Sequence, residues 1–174
     1  MIKTPRLGLR NWQPSDLEPF AEMNSDEAVM EYFPKTLSKE ESLDLYNRLK
    51  EHFEKHGYTY FAAETISDKK FIGFIGLAYQ TYEAHFTPCV DIGWRLRREA
   101  WGKGYATEGA KACLDFGFNK IKLEEIYSVT PLPNLKSVNV MKKIGMKKVG
   151  EFGHPNIEEG HPLKVCNLFR ISKQ

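Results

Sequence analysis

Long apolar runs are missing from this sequence, and their absence narrows the reading first. Its 174 residues contain nothing near the roughly 18 consecutive apolar residues of a membrane span, and the opening MIKTPRLGLR has no apolar core of the kind that directs secretion. A cytoplasmic protein with no membrane partner is the expectation. An excess of one charge is missing too. Twenty-five basic residues stand against 23 acidic ones, a formal net charge of +2. That is too even for a chain whose main task is to coat nucleic acid, and no nucleic-acid partner is expected. Cysteine is scarce: Cys89, Cys113 and Cys166 are odd in number and far apart. They suit buried reduced thiols better than a disulfide framework or a zinc site. Repeats, low-complexity tracts and linkers are also absent, so residues 1–174 read as one domain, long enough to bury a core without staples.

What is present alternates between two periods. RLGLRNW places Leu7 and Leu9 two apart, as a first strand does, and SDLEPFAEMNS after Pro14 repeats Leu17, Phe20 and Ala21 at helical spacing. SKEESLDLYNRLKEHFEKHG is the clearest helix. Ser38 and Glu41 form a capping-box pattern, Leu43, Tyr46, Leu49 and Phe53 mark one face, and Gly57 stops it. YTYFAAETI and KFIGFIGLAY then flank the polar turn SDKK as a hairpin, and CVDIGWRL adds a strand. A glycine turn and its helix follow. After them come the strand EEIYSVT, a helix in LKSVNVMKKIG and two strands around KKVGEF and VCNLFRI. This order predicts a mixed α/β fold with a largely antiparallel central sheet flanked by helices.

The glycine turn lies in RREAWGKGYATEGAKACLDFGF. A dinucleotide fingerprint would need a third glycine where Thr107 stands, and a P-loop would need lysine directly after Gly104, so neither motif applies. Gly102 and Gly104 still let the backbone turn tightly and approach a ligand, and the first turn of the following helix leaves amides unpaired and positive, as a phosphate requires. Arg97, Arg98 and Lys103 add charge there, and Ala106, Gly109 and Ala110 give the helix a small face. Alone, the pattern also fits a glycine-softened corner with solvated basic residues.

CVDIGWRLRREAWGKGYATEGAKACLDFGF, followed by PNLKSVNVMKKIGMKK, resembles the GNAT acetyltransferases, and in particular the branch of ribosomal-protein N-terminal acetyltransferases, whose start TPRLGLRNWQPSDLEPF also resembles. The resemblance spans about Thr4 to Lys148. It implies the GNAT fold, with acetyl-coenzyme A held where the family's fourth and fifth strands splay. It further implies that the backbone of Trp94, Arg95 and Leu96 pairs with the pantetheine arm and that the stretch Gly102, Lys103, Gly104, Tyr105, Ala106 and Thr107 holds the pyrophosphate, beside Arg97. Asn134 and Ser137 match cofactor contacts at the next helix. Glu99 departs from the family's glutamine or arginine. Met141 stands where many relatives carry the tyrosine that protonates the leaving thiolate, so Ser137 or a water is left for that task.

Acetyl transfer to an amine needs a neutral amine, a donor for the developing oxyanion and a way to neutralise the thiolate. Asp91, three residues before Trp94 on the same strand, is the first candidate for the base; Glu64, Glu83 and His85 are rivals. A backbone N–H at Trp94 or its neighbour would serve the oxyanion, as in the family. Covalent catalysis by Cys166 or Cys113 lacks a histidine pattern beside either. His52 and His56 do not form the HExxH arrangement, so no metal is expected. GHPNIEEGHPL is either a rigid connection or, as the resemblance implies, a border of the acceptor channel, with His154, His161 and His85 as substrate-binding candidates. The expected function is N-acetyl transfer from acetyl-coenzyme A to a protein N-terminal or small-molecule amine, by a monomer or homodimer. The alternative is a non-catalytic coenzyme A-binding module.

Overall fold

The computed structural model describes residues 1–173. Strands β1 (Ile2–Lys3) and β2 (Leu7–Arg10) lead to helices α1 (Leu17–Ser25) and α2 (Lys39–His56), followed by β3 (Tyr60–Thr65), β4 (Phe71–Gln80) and β5 (Cys89–Leu96). Helix α3 (Tyr105–Asp115), β6 (Glu125–Pro131), α4 (Leu135–Lys143), β7 (Lys147–Gly153) and β8 (Val165–Ser172) complete the chain. The strands form one eight-stranded sheet in the order β1-β2-β3-β4-β5-β6-β8-β7, antiparallel at every junction except β5 to β6. The mixed, largely antiparallel sheet expected from the sequence is thus the observed one. The two-residue β1, too short to show a period, is an addition.

Strand alternation gives the sheet two apolar faces. One carries Ile75, Leu77, Ile92 and Ile126, covered by Ala110, Cys113 and Leu114 of α3 and by Val138 and Met141 of α4. The close fit there depends on Gly109, where a Cβ would come within 2.4 Å of Ile75 Cδ1, so the small face of α3 does let the helix sit on the sheet. The other face carries Ala62, Phe71 and Phe74 under Trp12, Phe20, Met23, Tyr46 and Leu49.

Helix α2 starts and ends as expected. The Ser38 hydroxyl accepts the Glu41 N–H at 3.1 Å, the Glu41 carboxylate accepts the Ser38 N–H at 2.8 Å, and Gly57 closes the helix at φ 76°. Its buried stripe, however, is Ser42, Tyr46 and Leu49, while Leu43 is exposed. The polar Ser42 turns inward because the buried Asn24 side chain donates to it at 3.2 Å, a partner that periodicity cannot reveal. All three cysteines are buried and free. No described helix is long and apolar enough to cross a membrane.

Candidate active site

Strands β5 and β6, the only parallel neighbours among the described residues, are the pair that parts. Their one register pair is Asp91 with Tyr127, after which the Ser128 hydroxyl donates to the Ile92 carbonyl at 2.9 Å and the strands diverge. The Arg97 N–H donates to the Ile72 carbonyl of β4 at 2.9 Å. Hydrogen-bonding direction alternates along a strand, so the main chain of Ile92, Trp94 and Leu96 faces the gap instead. Ser128 occupies the Ile92 carbonyl and Trp101 Nε1 donates to that of Leu96 at 2.8 Å, which leaves the N–H and carbonyl of Trp94 turned to the opening. A cavity of about 690 Å³ runs through this gap from one face of the sheet to the other.

On the α3 side its wall is backbone. Gly102 and Gly104 adopt φ of 73° and 79°, a left-handed turn that glycine takes without steric cost. Gly104 caps α3 without a side-chain bond, and the first intrahelical bond runs from the Glu108 N–H to the Gly104 carbonyl at 3.0 Å. The amides of Tyr105, Ala106 and Thr107 therefore lack intrahelical acceptors, and these three residues line the cavity. Arg6 fixes the outside of the turn, donating to the Lys103 carbonyl at 2.9 Å and pairing with Glu108 at 2.6 Å. Across the opening, Asn134 caps α4 by accepting the Ser137 N–H at 3.1 Å, which gives this asparagine a structural task besides its place in the wall. Ser137 and the buried Met141, one turn apart, both face the cavity. Lys136 lies 4.6 Å over the Trp101 ring at the rim.

On the side of α1 and α2 the wall is made of side chains. Asp91 is buried and accepts the Tyr60 hydroxyl at 2.6 Å, and Gln80 Nε2 donates to that hydroxyl at 3.2 Å. Burial raises the Asp91 carboxyl to a pKa of about 6, opposed by the bonds to Tyr60 and Gln80. Tyr60 is driven well above its ordinary range by burial and by the Asp91 charge, so it stays a donor. Gly93 lets Tyr60 lie close to the strand, since a Cβ there would sit 3.1 Å from the Tyr60 ring. Tyr60 itself stacks on Phe74 at 5.3 Å. Two residues beyond Gly93, the Arg95 guanidinium lies 4.0 Å over Phe33 and 5.3 Å over Phe74. Sequence reasoning missed Tyr60, Gln80 and Phe33, since no local pattern links them to Asp91 or Arg95.

The structure brings together Asp91, Trp94, Arg95, Leu96, Gly102, Gly104, Tyr105, Ala106, Thr107, Asn134 and Ser137 around one cavity. Other candidates lie elsewhere. Arg97 is turned away, bound to Glu22 at 3.0 Å, Glu99 at 2.8 Å and the Pro19 carbonyl at 3.2 Å, and the Lys103 side chain is exposed outside the lining. His85, His154 and His161 do not line the cavity. His85 packs edge-on against Phe86 at 5.3 Å, His154 lies tilted over Tyr82 at 4.7 Å, and His161 Nδ1 accepts the Leu163 N–H at 3.1 Å. Burial, then the Lys164 charge, lowers the His154 pKa, so it is a neutral packing ring at neutral pH.

Among the rival bases, Glu64 is held by Arg10 at 2.6 Å outside the cavity, and Glu83 is an exposed loop residue. Burial raises the Cys166 and Cys89 thiols to about 11 and about 12 and Cys113 higher still, so none is a thiolate nucleophile at neutral pH. His52 joins α2 to the sheet: Nδ1 donates to the Tyr58 carbonyl at 2.8 Å and Nε2 accepts the Tyr79 N–H at 2.9 Å. No group of three potential metal ligands exists among the described residues.

Comparison with known proteins defines the class. The acetyltransferase (GNAT) domain family matches residues 6–147, and the chain belongs to that family. It is 33% identical to the uncharacterized N-acetyltransferase YnaD of Bacillus subtilis over 87% of this chain and 85% of the relative. It is 25% identical to the spermidine N(1)-acetyltransferase of Escherichia coli over 91% and 83% of the two chains. An acetyltransferase (GNAT family) from Bacillus anthracis superposes with a TM-score of 0.80 at 28% identity, covering 98% of this chain and 97% of that one. Spermidine N-acetyltransferase from Vibrio cholerae, solved in complex with CoA and spermine, shares the fold at a TM-score of 0.77 and 23% identity, covering 97% and 96%. The protein is an acetyl-coenzyme A-dependent acyltransferase. Membership holds at the level of the family; the relatives named here do not single out the ribosomal-protein branch.

Proposed function

We propose that the chain acetylates a primary amine by direct attack in a ternary complex, with Asp91 as general base. The observation that carries this reading is the buried Asp91 carboxylate, with a pKa of about 6, beside the strand gap onto which the Trp94 main chain opens. A base of that pKa is mostly ionised at neutral pH and can take the proton that the amine loses as it attacks, directly or through one water.

The wall on the α3 side fits acetyl-coenzyme A. The uncapped amides after Gly104 and the positive end of α3 suit a pyrophosphate, and the Trp94 main chain suits the amide groups of the pantetheine arm. When bound, the cosubstrate supplies a thioester acetyl group. The Trp94 N–H is the candidate donor for negative charge on its carbonyl oxygen. Tyr60 orients the Asp91 carboxylate, and Gln80 orients Tyr60. Ser137, not the apolar Met141, is the hydroxyl on α4 able to give a proton to the departing thiolate, while Lys136 of the same lining lies over the Trp101 ring.

The acceptor is an amine whose class the family leaves open, since protein N-termini and small molecules both fit the chemistry. A non-catalytic coenzyme A-binding module would have no use for a carboxylate buried at this cost, which favours the enzyme. Thiol release from acetyl-coenzyme A, followed with and without a panel of amines, tests the reading. Release that rises with amine concentration and yields the N-acetyl product is expected; binding of the cosubstrate with no amine-dependent release would overturn it.

A further inference from the structure

We infer that the acceptor amine also carries an anionic group, a carboxylate or a phosphate, and that Arg95 receives it. The inference rests on the proposed transferase reading and names its substrate class. Arg95 projects from β5 on the same face as Asp91, and its guanidinium lines the cavity. Nη1 donates to Asn24 Oδ1 at 2.7 Å, while Nε is sealed from water with no hydrogen-bond partner. Among the described residues no carboxylate lies within ion-pair distance of Arg95, although most of the other arginines are paired. Its burial beside two phenyl rings lowers its pKa to about 10, the signature of a cation short of counter-charge.

The charged groups that face Arg95 do not substitute for a ligand. Asp91 is four residues back along the strand, about 13 Å between α-carbons at the usual rise, and is engaged by Tyr60. Glu31, from the loop after α1, is an exposed residue of the rim, where water screens it. The phosphate-binding geometry at α3 is on the opposite face of the sheet, so Arg95 is not part of that cradle. Phe33 and Phe74 hold the plane of the guanidinium by cation–π contact, which leaves the Nη2 end, neither sealed nor bonded, to meet an oxyanion. The same charge acts against a polyamine, whose further ammonium groups would meet a cation with little water to screen it.

The test compares acceptors matched in length: ω-amino acids, aminoalkyl phosphates, the corresponding amino alcohols, and spermidine. Thiol release gives kcat/KM, and calorimetric titration of each amine into the coenzyme A complex gives binding without turnover. For the wild type, one anionic series should exceed the amino alcohols by roughly 10- to 100-fold, the range for a hydrogen-bonded charge. Which series wins tells carboxylate from phosphate. Arg95→Met should remove that preference, lowering the anionic series by that factor and the amino alcohols far less, with the thermal shift caused by coenzyme A retained. Arg95→Lys, which keeps the charge and not the fork, should retain part of it and serves if Arg95→Met is poorly folded. Equal loss on anionic and neutral amines, or preference for spermidine, overturns the inference. If no amine releases thiol but anionic amines bind the wild type and not Arg95→Met, the substrate-class inference holds and the transferase reading fails.

Discussion

The two faces of β5 are built from different materials. Toward α3 the cavity wall is main chain: the left-handed Gly102 and Gly104, the uncapped first turn of the helix and the free N–H and carbonyl of Trp94. Toward α1 and α2 it is side chain: Asp91, Tyr60, Phe74, Phe33 and Arg95, fixed to one another by hydrogen bonds and ring contacts. A main-chain wall, on the proposed reading the one that holds acetyl-coenzyme A, resists change by substitution. A side-chain wall can be rewritten one residue at a time while the sheet stays intact. The fold can therefore keep one cosubstrate and change acceptors, and evidence about the acceptor of this chain has to come from its own side-chain wall.

Asp91 offers the largest effect on that comparison. Asp91→Asn should lower turnover by roughly 10²- to 10⁴-fold at neutral pH, the range for losing general-base assistance, while coenzyme A still binds on the main-chain side. The wild-type rate should rise with pH through an apparent pKa near 6, and the variant should lose this limb. Higher pH should restore part of the variant's rate because more of the amine is already neutral. The same substitution has a stability signature of opposite sign. The folded-state pKa of about 6 lies above the ordinary 3.8, so the fold holds the proton more tightly than the unfolded chain. The charged carboxylate thus destabilises the protein increasingly from about pH 4 to 6 and fully above it. At pH 7.5 Asp91→Asn should be more stable by up to about 3 kcal/mol, and at pH 4 the advantage should vanish. Thermal midpoints at the two pH values check this; a variant less stable at pH 7.5 would mean that Asp91 is a structural residue.

That contrast also explains what could be read from the sequence. Gly102 and Gly104 stand two apart, directly before a helical pattern, so the main-chain side is written in one short stretch. The strand order is equally local, because each period change announces its element. The side-chain wall is assembled across the fold: Tyr60 lies 31 residues from Asp91, and Asn24 lies 71 from Arg95. Glu64 and Asp91 look alike as strand acids, and only Arg10, 54 residues before Glu64, separates them by taking Glu64 into a buried ion pair. His154 and His161 are acceptor candidates only through the resemblance, which makes their loop a border of the acceptor channel. No local pattern shows that the His154 ring packs on Tyr82 or that His161 accepts the Leu163 N–H.

On the main-chain side, Gly104→Val should abolish the thermal stabilisation that acetyl-coenzyme A gives, about 2.7 kcal/mol at one hundred times its dissociation constant. The cause is conformational. A Cβ at Gly104 would meet only Arg6 Nη2, at 3.5 Å, but φ 79° is closed to a β-branched residue, so the turn must rearrange and carry its amides away. Gly57 provides the control. It has φ 76° and open space around it, at the far end of α2. Gly57→Val should lower the midpoint of the free protein and leave the ligand shift intact. An undiminished shift in folded Gly104→Val protein would place the phosphates elsewhere.

Ser137 joins the two walls and carries the smallest expected effect. It faces the cavity from α4, its N–H is held by Asn134, and the next turn presents Met141, which cannot donate a proton. If Ser137 protonates the thiolate, Ser137→Ala should slow turnover by roughly tenfold, below the usual range for a lost general acid because water reaches the same opening. Raising the pH should not rescue this variant, since a neutral amine does nothing for a leaving thiolate. The opposite responses of Asp91→Asn and Ser137→Ala to pH separate a group that prepares the nucleophile from one that receives the leaving group. A Ser137→Ala rate recovered at high pH would move Ser137 to the acceptor side of the reaction, and a full rate at every pH would assign the proton to water or to a lysine of the same lining.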